Sequence, residues 1–362
     1  MWGQDWMSIS ELLMPFPEKP KQTFAKKMRA QNYTVEKMYR VAEDFFVSLN
    51  FSSLPESFWK LSMLKKPADG RRVMCQPSAW DFCDTQDFRI KMCTEVSFKD
   101  LLIVTHEVGH IQYYMEYSGQ PFVFRQGAKP AFHEAVGDTM VLSLLTPEHL
   151  ERLGLVDPKD LLDNDEQKSL NFLMEIALKK LPLVAFSYVM YKWRHDVMSK
   201  TYSSEQLNCR WWELREKFEG VKAPSKRSEE DFDPGSKWHV VADLPFLRTA
   251  ELIKVNIFRY QFSKILEFQF HKALCEAAGK YPTIPLHKCS IYGNAEAGEK
   301  FRTLLKAGYS EAWEDTLEDM TGVADMDVRP LLEYFKPLHD YLVAENARTG
   351  ETVGWTKGET RC

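Results

Sequence analysis

The chain has 362 residues, which at about 150 residues per domain admits one to three domains and a sizeable buried core. Hydrophobic residues make up 44% and charged residues 27%, a balance that excludes a disordered or collagen-like chain. Lys+Arg 47 against Asp+Glu 52 leaves a net charge of −5, so nothing in the charge balance points to nucleic acid, and no apolar run is long enough to cross a membrane as a helix.

Helical punctuation dominates from the first third onward. Thr34 precedes VEKMYRVAEDFFVSL, in which Val35, Met38, Val41, Phe45 and Phe46 form one apolar stripe. Strand patterns are thin and confined to Arg72–Cys75 and Arg89–Thr94. Ser97 reads as the N-cap of FKDLLIVTHEVGHIQYYMEY, which Ser118-Gly119 closes. Pro130 opens AFHEAVGDTMVLSLL, and Thr146-Pro147-Glu148 starts a short helix running to Gly154. Further helices are expected over Asp165–Leu181, Ala185–Ser199, Ser204–Phe218, Pro245–Gly279, Ala295–Ala307 and Val328–Asn346, with Val221–Asp233 as a loop. No repeat interrupts this pattern, so the expectation is a mainly α chain with minor β, folded as one unit over 1–362. Aromatics at 13% suit either a large helical core or a pocket that grips peptides.

Seven cysteines are too few for a disulfide-dense scaffold. Two neighbouring pairs, Cys75 with Cys93 and Cys275 with Cys289, could each close a local loop worth roughly 3 kcal/mol if oxidised. Two glycosylation sequons, Asn32-Tyr33-Thr34 and Asn50-Phe51-Ser52, point to the secretory route and an extracellular location. The opening MWGQDW lacks the basic and apolar regions of a signal peptide, so the natural start of the fold is expected to lie elsewhere.

The strongest chemical signal is His106-Glu107-Val108-Gly109-His110. Histidines at i and i+4 share one helix face, so both imidazoles can reach a single Zn²⁺. Glu107 projects beside them, placed to activate a water rather than to bind the metal. A catalytic zinc needs a third protein ligand and one open position, and the best candidate is Glu134 in Phe132-His133-Glu134-Ala135-Val136-Gly137-Asp138 on the next helix. Asp138, one turn further on, could accept the outer N–H of a ligand histidine. For His133 and Asp138, capping or packing is the plain alternative.

HEVGHIQYY followed by GAKPAFHEAVGD resembles the angiotensin-converting-enzyme family of zinc peptidyl-dipeptidases. PSAWDF, DFDPGSKWH, FQFHKALCEAAG, PLHKCSIY and VRPLLEYFKPL extend the resemblance from Trp2 almost to Trp355. It corresponds to the C-terminal part, somewhat more than half, of that family's large helical catalytic domain. The resemblance places Met1 at an internal methionine of the family, downstream of its N-terminal helices. It implies zinc ligands His106, His110 and Glu134, with Glu107 as general base and then general acid, and His239 stabilising the tetrahedral intermediate. Lys237 and Gln4 would hold the C-terminal carboxylate of an oligopeptide substrate, which makes such a site release dipeptides. Trp211, Arg215 and Arg248 match chloride-binding positions, where ordinary ion-pair use is the alternative for the arginines. Cys75–Cys93 and Cys275–Cys289 match its disulfides.

Three substrate positions depart from the family pattern. Thr249 stands where the family has an oxyanion-donating tyrosine, Gln76 where it has a histidine, and Phe246 where it has a carboxylate-binding tyrosine. Gln76 is followed by Pro77 rather than alanine. Losing one oxyanion donor typically costs about 10²–10³ in rate. Phe246 removes a hydrogen bond worth roughly 1–3 kcal/mol to a charged partner. The sequence therefore predicts a zinc-dependent, carboxypeptidase-type peptidyl-dipeptidase of reduced activity, with an inactive zinc- and peptide-binding relative as the alternative. A thermolysin-like endopeptidase shares the HExxH logic alone.

Overall fold

The computed structural model describes residues 5–19, 24–157, 165–236 and 258–356. Its longer elements run in chain order as α1 (Val35–Ser48), β1 (Ser78–Asp81), β2 (Phe88–Lys91), α2 (Phe98–Tyr117), α3 (Pro130–Leu144), α4 (Glu166–Met198), α5 (Leu207–Glu219), α6 (Phe258–Ala277), α7 (Ala295–Ala307), α8 (Trp313–Thr321) and α9 (Arg329–Thr349). Helix dominates, as expected, and the sheet among the described residues is a single two-stranded hairpin. Contacts group into a larger unit, Glu18–Ser169 with Ile265–Tyr334, and a smaller one, Met1–Pro17, Leu170–Lys264 and Phe335–Cys362.

In the larger unit, α1 starts where Thr34, in extended conformation, accepts the Lys37 amide at 3.1 Å. Met38, Phe45 and Phe46 of the expected stripe are fully buried together with Tyr39 and Ala42, while Val35 and Val41 are only partly covered. Aromatic edges continue that core: Phe46 meets Phe51, Phe51 meets Phe301 of α7, Phe301 meets Phe270 of α6, and Phe270 meets Phe132 of α3. Each such side chain contributes about 1.5–3 kcal/mol by leaving water. Phe132 anchors the first turn of α3 from behind, leaving the next residues of that turn to face α2.

β1 and β2 pair antiparallel in the register Trp80↔Arg89. The second expected strand is present but runs Phe88–Lys91, starting one residue earlier and ending three sooner, and the first forms over Ser78–Asp81 instead of Arg72–Cys75. The reason is the other edge of β2. Met63 occupies it, donating to the Ile90 carbonyl at 2.9 Å and accepting from the Met92 amide at 2.8 Å. Arg72–Cys75 is left as mostly exposed coil, tied to the hairpin's far end by the Cys75–Cys93 disulfide. Cys275–Cys289 is also formed, and Cys209 is disulfide-bonded too, which the sequence pattern did not suggest.

In the smaller unit, the two helices expected over Asp165–Leu181 and Ala185–Ser199 are one continuous helix, α4, with Pro182 inside it. An interior proline typically costs about 3 kcal/mol because it removes one N–H and strands a carbonyl one turn earlier. That carbonyl belongs to Leu178, and the Trp6 amide donates to it at 2.8 Å. Phe186, Trp193, Trp211, Trp212 and Leu214 form the buried cluster between α4 and α5. Val221–Asp233 is a loop as expected, pinned by the Trp212 indole N–H donating to Asp233 at 2.8 Å.

Candidate metal centre

Ser97 caps α2 by accepting the Asp100 amide at 3.0 Å, and Pro130 sits in the first turn of α3. The two helices cross where both sequences place glycine. A Cβ built on Gly109 would fall 2.5 Å from the Gly137 Cα, and one on Gly137 only 2.3 Å from the His106 carbonyl oxygen. Backbone therefore lies directly on backbone. That close approach brings Glu134, one turn before Gly137, beside His106 and His110. The signal was present in the sequence: each glycine follows a metal-ligand candidate by three residues, on the same helix face.

Glu134 Oε2 lies 3.5 Å from His106 Nε2 and 3.9 Å from His110 Nε2, and one ligand atom from each residue falls within 4.8 Å of the others. Zinc bonds of about 2.0–2.2 Å in a tetrahedron put neighbouring ligand atoms about 3.3 Å apart, so the two histidine–glutamate separations fit the ion with small inward shifts. Two imidazoles and a carboxylate are a donor set known from catalytic zinc sites, and other first-row metals share it. The imidazole rings stand nearly perpendicular, 87°, with centroids 4.7 Å apart.

The outer nitrogens of both histidines are held from α3. His106 Nδ1 is 3.1 Å from Asp138 Oδ1, where the sequence suggested such a contact, and His110 Nδ1 is 2.8 Å from His133 Nδ1. Burial alone would depress the His106 imidazole, but the Asp138 and Glu134 carboxylates outweigh it and lift it to about 10. Burial and the neighbouring His110 push His133 well below the ordinary histidine value.

Glu107 is 7% exposed, and its Oε2 has no hydrogen-bond partner among the described residues. Burial raises its carboxyl to about 7, with His106 pulling down and Glu134 pushing up. A carboxyl tuned near neutrality beside a metal donor set can both take and return a proton.

Of the other expected substrate, chloride and catalytic residues, three are described and six are not. Gln76 is exposed just before β1. Trp211 and Arg215 are buried in α5, where the Arg215 guanidinium donates to Glu219 at 2.8 Å. Gln4, Lys237, His239, Phe246, Arg248 and Thr249 lie outside the described residues. Asn32 and Asn50 are exposed and adopt positive φ, 52° and 65°, at the ends of their helices. Asparagine tolerates that backbone better than other L residues, which gives both a structural use besides any modification.

Residues 1–355 match a family described as angiotensin-converting enzyme. Among curated relatives, angiotensin-converting enzyme of Mesocricetus auratus is 45% identical over 98% of this chain, which covers 26% of that protein. The angiotensin-converting enzyme-related protein of Drosophila melanogaster is 43% identical over 98% of the chain and 55% of its own length. The angiotensin-converting enzyme-like protein Ace3 of Mus musculus is 41% identical, again over 98% of the chain, with 46% of that relative covered. The chain thus spans about a quarter of the first of these relatives and about half of the other two. With the match running over nearly every residue and the donor set of α2 and α3 in place, the chain belongs to the angiotensin-converting-enzyme family.

Proposed function

We propose that this chain is a zinc-dependent, peptidyl-dipeptidase-like metallopeptidase that releases dipeptides from the C-termini of oligopeptides. The observation that carries the reading is the convergence of His106, His110 and Glu134 beside the buried Glu107 carboxyl. Zinc held by those three residues would polarise a peptide carbonyl and lower the pKa of water to near neutrality. Glu107 takes the proton of the attacking water and returns it to the leaving amine. Burial raises its carboxyl, which makes it a stronger base than an exposed glutamate, and a bound cation would pull it back toward the ionised form. Asp138 accepts from His106 Nδ1 and so leaves the Nε2 lone pair free to bind metal. By family resemblance, His239 assists at the tetrahedral intermediate, while Gln4 and Lys237 hold the substrate carboxylate. Chloride is proposed by the same resemblance at Trp211, Arg215 and Arg248. At Arg215 a halide would compete with Glu219.

The disulfides Cys75–Cys93 and Cys275–Cys289 and the exposed sequon residues Asn32 and Asn50 support a secretory or extracellular location. Among the described residues no helix is long and apolar enough to cross a membrane.

A second reading, a zinc- and peptide-binding relative without turnover, is favoured by Gln76, Phe246 and Thr249 at substrate positions. A fluorogenic tripeptide assay with added zinc separates the two. Turnover abolished by chelator supports the peptidase, whereas bound zinc without turnover overturns it in favour of the binder. Cleavage inside a C-terminally amidated peptide would replace both with an endopeptidase.

A further inference from the structure

We propose that His133 is the positioning residue of His110, fixing through one nitrogen–nitrogen hydrogen bond the tautomer in which His110 can bind metal. The inference rests on the zinc reading above and adds a role to a side chain that reading does not use.

Two unprotonated ring nitrogens repel at close range, as do two N–H groups, so the 2.8 Å between His110 Nδ1 and His133 Nδ1 requires one of each. His110 Nε2 faces Glu134 Oε2 at 3.9 Å and must carry a lone pair to be a ligand. Its proton therefore sits on Nδ1, and His133 Nδ1 is the acceptor. One bond sets both tautomers, with the His133 proton on Nε2.

The His133 ring is packed among aromatic neighbours. Tyr113 and Tyr114 lie 4.6 and 4.8 Å away by ring centroid, and Tyr117 lies 6.3 Å away. Gly127 also packs close to it, since a Cβ there would come within 3.2 Å of His133 Cδ2. His133 Nε2 is buried and has no hydrogen-bond partner among the described residues. A buried N–H without an acceptor destabilises the fold, so packing alone would favour an apolar ring here. The nitrogen facing His110 is what an apolar ring would lose.

His106 and His110 thus receive different support from the same helix. Asp138 gives His106 a charged acceptor, and His133 gives His110 a neutral one. Charged acceptors bind roughly twice as strongly, so His110 is the less firmly oriented ligand and the more sensitive to loss of its partner.

The test is zinc affinity of the full chain, measured by competition with a chromophoric chelator, for wild type, His133→Phe and His133→Asn. Phenylalanine keeps the ring among the tyrosines without the acceptor, and asparagine places Oδ1 where Nδ1 was. The expected result is a loss of roughly 10–100-fold for His133→Phe and a change within about threefold for His133→Asn. Affinity of His133→Phe within about threefold of wild type, or equal losses in both variants, overturns the proposal. If wild type binds no zinc, the metal reading falls with it; if wild type binds and only the variant comparison fails, the metal reading stands alone. Nitrogen-15 histidine spectra of the zinc-loaded wild type supply a readout independent of variant folding. An Nε2–H tautomer for His133 is expected, and an Nδ1–H tautomer overturns the assignment.

Discussion

Two regions of this molecule bury ionised side chains, and they settle the charge in opposite ways. In α5, Arg215 and Glu219 are one turn apart on a single helix, 3% and 2% exposed, and meet at 2.8 Å. The donor and acceptor satisfy each other, and the surrounding rings of Phe186, Trp211 and Trp212 need supply nothing more. At the α2–α3 crossing, the groups come from two helices, and the Glu134 carboxylate lies 3.5 and 3.9 Å from the Nε2 atoms of His106 and His110. Donors that converge in this way hold together around a positive charge, which protonated His106 supplies in the metal-free site and a metal ion would replace. A self-balanced pair supports the fold, whereas a converging donor set stores binding energy for an ion.

The largest effect that would break this contrast is on turnover. Glu107→Gln keeps the volume and removes the base, so hydrolysis should fall by about 10²–10⁴ while zinc affinity is unchanged. Paired chelator competition and tripeptide kinetics read both quantities. Turnover persisting in that variant would refute the role of Glu107.

Next in size is the closed pair. Arg215→Leu leaves the Glu219 carboxylate buried and alone, and stability should drop by about 3–5 kcal/mol in urea unfolding. The double replacement by Leu and Met should recover most of it, because two apolar side chains leave no charge behind. A small single-mutant effect would mean that water reaches the pair.

Smaller again is the crossing itself. Gly137→Ala forces a methyl against the His106 carbonyl, and overpacking of this kind costs about 1–3 kcal/mol. Zinc affinity should fall with it, since the helices must part and carry Glu134 away from both histidines. A control at exposed Gly119, where a Cβ meets nothing within 4 Å, should be neutral.

The sequence carried the metal centre because its information is local. His106 and His110 share a face by helical period alone, and Glu134 sits in a helix opened by Pro130. The Arg215–Glu219 pair was equally legible at i,i+4 spacing, although resemblance directed attention to an external anion instead. What was hidden depends on partners distant in the chain. Pro182 reads as a helix break until the Trp6 amide takes the stranded Leu178 carbonyl. The first strand forms at Ser78–Asp81 because Met63 holds the other edge of β2. The bond between His110 and His133 needs the glycine-on-glycine approach, which no window around either histidine contains.

The finest discrimination between the two regions comes from pH. Burial raises Glu219 from 4.5 to about 6, with Arg215 pulling the other way. The folded chain thus holds this proton more tightly than the unfolded chain. Its contribution to stability is complete below about 4.5, declines as pH rises, and is gone above about 6. Urea unfolding of the wild type and Glu219→Gln across that window should give a steeper decline with pH for the wild type, the two slopes becoming parallel at higher pH. Parallel slopes throughout would mean that Arg215 fully offsets the burial of Glu219. The pair would then be balanced in energy as well as in charge, and the contrast with the metal centre would be sharper still.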